Sequence, residues 1–335
     1  MSIRQVSRQV IRGTARAIRR QRLPSRVRLV SGRSELATTA DDVILVCLVR
    51  DGEAHIRSFL QHHFDLGVRH AVLVDNDSID RTVELAREFD RVTVLHTSLP
   101  FRRYNNLIRS YVAERFGRHN WCLDCDIDER FVHPMSDRVS LAEFVRYLNR
   151  QEYTAVVAQM LDLFAGGAVD TWPGTGDSLV NDCRWYDTSA IRTTGFDRHY
   201  RNRISSDAIR CHYGGIRGSV FGLNDLVLTK HPLLSSASGA RRVTSHDCSK
   251  AYVADVSCVL FHYPFDRGFR KKCALAIERG NYWRSSLEYK AYLKGLDADS
   301  QLTLKRTNAR RLDHLSQLLD ENFIVVSEQY RLAFA

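Results

Sequence analysis

No apolar run in this 335-residue sequence approaches the roughly 20 residues that a bilayer span needs. The best, "VILVCLV" at Val43 to Val49, is strand-sized, so no transmembrane helix is expected. No G-x-G-x-x-G follows that strand and no G-x-x-x-x-G-K-[ST] occurs anywhere, which removes the glycine-based phosphate cradles of a dinucleotide fold or a P-loop. Acidic residues are missing from residues 1–34, which hold ten arginines and no lysine. The formal charge of +10 therefore resides in that stretch, and the rest of the chain balances to zero. A uniformly basic nucleic-acid binder is excluded on that ground, and no nucleic-acid partner is expected. No secretory h-region precedes the eight scattered cysteines, a pattern that fits reduced thiols in the cytoplasm.

What is present starts with the leader "MSIRQVSRQVIRGTARAIRRQR". Arg4, Arg8, Arg12 and Arg16 fall at helical spacing, with Ile3, Val6, Val10 and Ala17 on another stripe. Three readings stand: a basic amphipathic helix lying peripherally on an anionic membrane inner face, a disordered tail, or a transit peptide. Residues 1–40 are read as this leader, with the first strand at Val43.

Beyond it, strands and helices alternate: "VILVCLV" (43–49), a helix over 53–67 closed by Gly67, "HAVLVD" (70–75), and a helix over 78–89 capped by Ser78. "VTVLH" (92–96), a helix from Tyr104 to Phe116 and "NWCLDCD" follow. This order predicts an α/β fold with a mostly parallel central sheet flanked by helices, whose ligands bind at the carboxyl ends of the strands. Residues 165–222 read as substrate-handling loops. Strands over 225–234 and 256–263 come next, then helices in "FRKKCALAIERGNYW" and "SLEYKAYLKGL", and a last amphipathic helix near Ala309 to Leu319. The catalytic domain is placed at residues 41–295 and a C-terminal helical extension at 296–335.

The chemistry concentrates in "WCLDCDIDERF", where Asp124, Asp126, Asp128 and Glu129 crowd the end of the fourth strand of this series. Like charges at this density repel unless something positive lies between them. Asp126-x-Asp128 offers hard oxygen ligands suited to Mg²⁺ or Mn²⁺. Cys122 and Cys125 form a C-x-x-C, but residues three apart on a strand point to opposite faces, so they read as core thiols. His262 closes the strand "VLFHY" ahead of Arg267, Arg270, Lys271 and Lys272, which are candidates for a diphosphate. His246, beside Asp247, is the runner-up ligand or a base acting with its neighbour.

"VRDGEAHIRSFLQHHFDLGVRHAVLVDNDSIDRT", "WCLDCDIDERF", "HYGGIRGSVFG", "LTKHPLL" and "VLFHYPF" resemble, in that order, segments of a family-2-like glycosyltransferase group with a GT-A fold. The resemblance covers most of residues 43 to about 295. It implies a nucleotide-diphospho-sugar donor resting on the first strand ends, with Arg50, Asp51, Glu53, Asp75, Asp77, Arg103, Asp126 and Lys271 as its contacts. It implies a Mn²⁺ or Mg²⁺ ion on Asp126, Asp128 and His262. Asp75 and Asp77 also read as an ordinary Asx turn, and His262 as a strand-end histidine bonded to a backbone carbonyl. The expected activity is transfer of a hexose to the hydroxyl of a glycan or glycolipid acceptor, with Asp207, Asp225 or Asp247 as the base. The alternatives are a sugar-phosphate nucleotidyltransferase and a non-catalytic membrane-surface adaptor.

Overall fold

The computed structural model describes residues 17–118, 120–170, 172, 177–196, 202–280 and 286–335. Arg4, Arg8, Arg12 and Arg16 of the leader lie outside these residues, as does the end of the "FRKKCALAIERGNYW" stretch.

Chain order begins with β1 (Arg28–Ser31), β2 (Val43–Val49), α1 (Ile56–Leu66), β3 (His70–Asp75), α2 (Thr82–Ala86) and β4 (Val92–His96). It continues with α3 (Phe101–Phe116), β5 (Trp121–Asp124), β6 (Glu129–Val132), α4 (Leu141–Arg150) and β7 (Ala155–Asp162). Along β2 every residue is buried, and alternate side chains enter different layers. Val43, Leu45, Cys47 and Val49 pack with Phe59 and Leu60 of α1, Leu85 of α2 and Phe144 of α4. Ile44, Val46 and Leu48 pack with Ile108 and Val112 of α3. A strand covered on both faces can be apolar at every position, which is why "VILVCLV" shows no alternation. Cys122 and Cys125 follow the same rule and enter opposite layers, and all eight cysteines are buried and free.

The ten-stranded sheet runs β1-β4-β3-β2-β5-β12-β7-β15-β10, with β6 paired to β15. Here β10 is Arg203–Ile204, β12 is Thr229–Ser235 and β15 is Tyr252–His262. Pairing is parallel through β4, β3, β2 and β5 and again through β7, β15 and β10. The expected mostly parallel sheet is thus present, but β12 is inserted antiparallel between its two halves. That reversal brings the beginning of β12 to the edge where its neighbours end.

Three expectations are corrected. The sheet does not begin at Val43: β1 pairs antiparallel with β4, and Leu23 and Val27 are buried under the α3 layer. The chain from Leu23 onward is therefore part of the fold and not a leader. Ser78 does not cap a helix; its Oγ accepts from Asp51 N at 2.9 Å, and α2 starts only at Thr82. Residues 165–222 hold α5 (Asp177–Asp182), the pair β9 (Ile191–Gly195) and β11 (Arg210–Gly214), and α6 (Gly215–Phe221), besides loops.

After β15 come α7 (Phe269–Arg279) and α8 (Leu287–Ala298). The last helix expected near 309–319 is a short strand, Arg310–Arg311, followed by α9 (Ser316–Asp320) and α10 (Glu328–Ala333). The C-terminal segment is built into the body, since Tyr330 is buried against Tyr147 of α4, ring to ring at 5.1 Å.

Candidate active site

The carboxyl ends of β2, β5, β7 and β15 and the start of β12 open on one cavity of about 2090 Å³. Its wall includes Asp51 after β2, Asp126 and Asp128 after β5, His262 at the end of β15, and Lys271 and Lys272 on α7. Arg50 and Glu53 also line it, whereas Asp75, Asp77 and Arg103 are not among its lining residues. Asn76 and Arg102 stand there instead. Asp77 is turned to His96 Nε2 and Ser98 Oγ at 2.9 and 2.7 Å, and Asp75 accepts from Ser78 N at 3.2 Å, the Asx-turn reading.

The repulsion within the acidic turn is met by the protein's own cations. Lys230, on β12, lies opposite Asp126 when the antiparallel Leu233–Leu123 register is continued. Its Nζ donates to Asp126 Oδ2 at 2.9 Å and to Glu129 Oε1. Arg109 of α3 donates to both Asp124 Oδ1 and Asp126 Oδ1. Arg242 Nε lies 2.9 Å from Asp124 Oδ2, close as an ion pair though not aligned as a hydrogen bond. Glu129 also accepts from Asp126 N at 2.9 Å, which closes the turn. Burial alone would raise the Asp126 carboxyl, but Lys230 and Arg109 hold it below the usual carboxylate range. Burial works against the Lys230 ammonium as well, yet Asp126 and Glu129 keep it protonated.

Asp126, expected as a metal ligand, thus has both oxygens engaged. Asp128 is placed differently. Its Oδ2 is 3.7 Å from His262 Nε2 and 3.5 Å from Lys272 Nζ. Burial opposes the Asp128 charge, but Lys272 and His262 hold its carboxyl well below the usual range. His262 is not bonded to a backbone carbonyl through its ring. Its Nδ1 donates to Asp162 Oδ1 at 2.5 Å, and Asp128 and Asp162 together raise its pKa, against burial, to about 9.

Among the described residues no three His, Cys, Asp or Glu side chains converge to hold a metal ion. The donor set that fits a divalent cation is the pair Asp128 and His262: one hard oxygen and, once the cation displaces the Nε2 proton, one imidazole nitrogen facing each other on the cavity wall. Two protein ligands suit an ion that takes its remaining ligands from phosphate and water.

The base candidates separate. Asp207 is exposed and is not among the lining residues. Asp225 lines the cavity but is 99% exposed at its side chain and 3.3 Å from Arg192. Asp247 lines the cavity half-buried and accepts from Thr244 Oγ1 at 2.9 Å. His246 does not act on its neighbour; its Nδ1 bonds Thr229 O at 3.3 Å, and burial with Lys230 nearby lowers its pKa to about 3.

Lys230, Arg109 and Asp162 went unassigned in the sequence, although each leaves a trace. Lys230 is a charged residue within the buried strand "LTKHPLL". Arg109 sits on the inward stripe of α3 with Val112 and Phe116. Asp162 ends an apolar strand much as Asp124 does.

No family model matches the sequence, nor does any curated protein. Among solved structures, a mannosyltransferase from Pyrobaculum calidifontis in complex with GDP-Man and Mn²⁺ is similar over 87% of this chain and 79% of that chain, at 12% identity and a TM-score of 0.29. A likeness of that degree assigns neither family nor residue.

Proposed function

We propose that this protein is a glycosyltransferase of GT-A type that moves a hexosyl group from a nucleotide-diphospho-sugar to an acceptor hydroxyl. The observation that carries the reading is the single cavity in which Asp128 faces His262 beside Lys271 and Lys272. Its volume of about 2090 Å³ exceeds the roughly 300–1,000 Å³ of an ordinary ligand pocket, which supports a site that takes a donor and an acceptor side by side. Lys271, Lys272 and Arg267 supply positive charge for a diphosphate, and in this reading Arg50, Asp51 and Glu53, which also line the cavity, take the nucleoside end. Asp128 and His262 would hold Mn²⁺ or Mg²⁺, which when bound supplies Lewis-acid assistance to the leaving nucleoside diphosphate. Asp126 acts as the counter-ion of Lys230 and Arg109, keeping both cations at the donor's edge of the sheet.

Asp247 takes the base role, because its carboxylate is oriented by Thr244 in the cavity wall. It removes the acceptor hydroxyl proton as that oxygen bonds to the anomeric carbon and the bond to the diphosphate breaks. Arg19, Arg22 and Arg26 are part of the basic stretch whose proposed partner is an anionic membrane surface. That placement suits a glycan or glycolipid acceptor. No described helix is long and apolar enough to cross a membrane.

The test is release of nucleoside diphosphate from a panel of nucleotide-sugars with Mn²⁺, with and without saccharide acceptors. Release with at least one donor, abolished in Asp128→Asn and slowed at least a hundredfold in Asp247→Asn, is expected. No release with any donor, from protein that is folded, removes the reading.

A further inference from the structure

Beneath His262 lies a buried chain of charged groups that the proposed reaction does not use. β7 and β15 run parallel with His262 in register with Asp162, so the two residues stand side by side at the strand ends. Asp162 is 5% exposed and His262 8%. Asp162 Oδ1 accepts from His262 Nδ1 at 2.5 Å, and Asp162 Oδ2 accepts from Arg217 Nε at 2.8 Å. Arg217, itself buried on α6, donates onward to Glu288 Oε1 at 2.9 Å and to Met160 Sδ at 3.1 Å. The carboxylate of Asp162 is therefore gripped at both oxygens and has no freedom to rotate.

We propose that Asp162 is the positioning residue for His262: by accepting from Nδ1 it fixes the imidazole plane and its tautomer, so that Nε2 is the nitrogen turned to Asp128. The inference rests on the reading of Asp128 and His262 as the cation pair and adds the group that orients one of them. An ionised carboxylate can only accept, so the proton of the neutral ring must sit on Nδ1 and the lone pair on Nε2. A carboxylate behind an imidazole also makes the opposite nitrogen a stronger donor to a metal. Arg217 holds Asp162 in turn, and α8 holds Arg217 through Glu288. The orientation of His262 is thereby tied to three elements outside its own strand.

Two measurements test this on the full chain. Mn²⁺ alone is titrated and free ion read by electron paramagnetic resonance, for wild type, Asp162→Asn and Asp162→Ala. Asn keeps the shape of the side chain and an acceptor for one of the two donors while removing the charge, so it remains informative should the Ala variant fail to fold. Loss of affinity by about tenfold to a hundredfold is expected, the range typical for removing such an outer partner. The second measurement is the nitrogen-15 spectrum of His262, assigned by its absence in His262→Ala. It is recorded with the pH stepped upward until the ring signals no longer change, so that the neutral ring is observed. Wild type should show the proton on Nδ1, and Asp162→Ala a shift of population toward Nε2.

Unchanged Mn²⁺ affinity in both folded variants, beside a wild type that binds, overturns the inference while leaving the cation pair standing. A wild type that takes up no Mn²⁺ overturns the cation pair, and the ring spectrum then decides the role of Asp162 by itself. A wild-type ring protonated on Nε2 overturns it outright.

Discussion

At the scale of single residues the acids of "WCLDCDIDERF" were legible as a cluster, but what neutralises them was not. Their partners come from α3, from β12 and from Arg242, the last two more than a hundred positions along the chain, and only the antiparallel insertion of β12 delivers Lys230. From the sequence alone, replacing Asp126 should relieve like-charge crowding and leave apo stability unchanged or higher. The structure reverses that sign. Asp126→Asn strips a buried guanidinium and a buried ammonium of a shared carboxylate, and breaking a fully buried pair by removing one partner costs about 3–5 kcal/mol. Lys230 keeps Glu129, Arg109 keeps Asp124 and the Asp126 side chain is 37% exposed, so a smaller loss of about 2 kcal/mol in urea unfolding is expected. Asp128→Asn should cost less than half as much, because Asp128 has its partners at 3.5 and 3.7 Å and none in a short buried bond. The same pair of variants should differ oppositely in Mn²⁺ binding: Asp128→Asn abolishes it and Asp126→Asn weakens it less. Equal destabilisation by the two would remove the counter-ion role given to Asp126.

At the scale of elements, the buried parallel strands and α1, α3, α7 and α8 could be read within a few residues, because each is long and strongly patterned. β1 could not. "RLVS" is short, half-exposed and set among arginines, and an edge strand needs a partner more than a pattern. Its place in the sheet moves the boundary at which the chain can be shortened. Removal of residues 1–16 leaves Leu23, Val27 and β1 intact and should leave the melting temperature within about 2 °C of the full chain, an effect on the order of half a kcal/mol. Removal of residues 1–34 takes away two side chains that are 0% and 3% exposed, each worth about 1.5–3 kcal/mol by burial, and uncovers the edge of β4. A loss of about 3–6 kcal/mol follows, seen as a lowered urea midpoint. An unchanged midpoint after the longer deletion would mean that β1 contributes nothing to the sheet. α4 offers a smaller check. Ser140 and Glu143 form a capping box at its start, so Ser140→Ala should cost about 1 kcal/mol.

For the whole molecule, the histidines set a pH of greatest stability that composition could not reveal, since thirteen histidines on a surface would titrate alike folded or unfolded. Here burial lowers His62, His133 and His212 to about 4. In the unfolded chain each takes up its proton near pH 6.5. Between about 6.5 and 4 the unfolded state therefore binds more protons than the folded one, and stability falls as pH falls through that window. His262 has the opposite sign. Its folded pKa is raised to about 9, so the stability from its pairing with Asp128 and Asp162 is present in full below about 6.5 and is lost as pH rises through 9. The two slopes meet near neutrality. Urea unfolding at pH 5, 7 and 9 should accordingly give the highest midpoint at pH 7. The acid side can be assigned to a residue. His133 is fully buried and stacks on Phe144 with ring centroids 4.7 Å apart, so an imidazolium there has no solvent to accommodate its charge. His133→Phe keeps an aromatic ring on Phe144 and removes the titration. It should abolish about 2 kcal/mol of the loss between pH 7 and pH 5, the value of a pKa difference counted from 6.5 down to 5. A wild type whose stability holds level or climbs from pH 7 to pH 5 would mean that these histidines accept their protons in the folded state, and that the layer around Phe144 is wet.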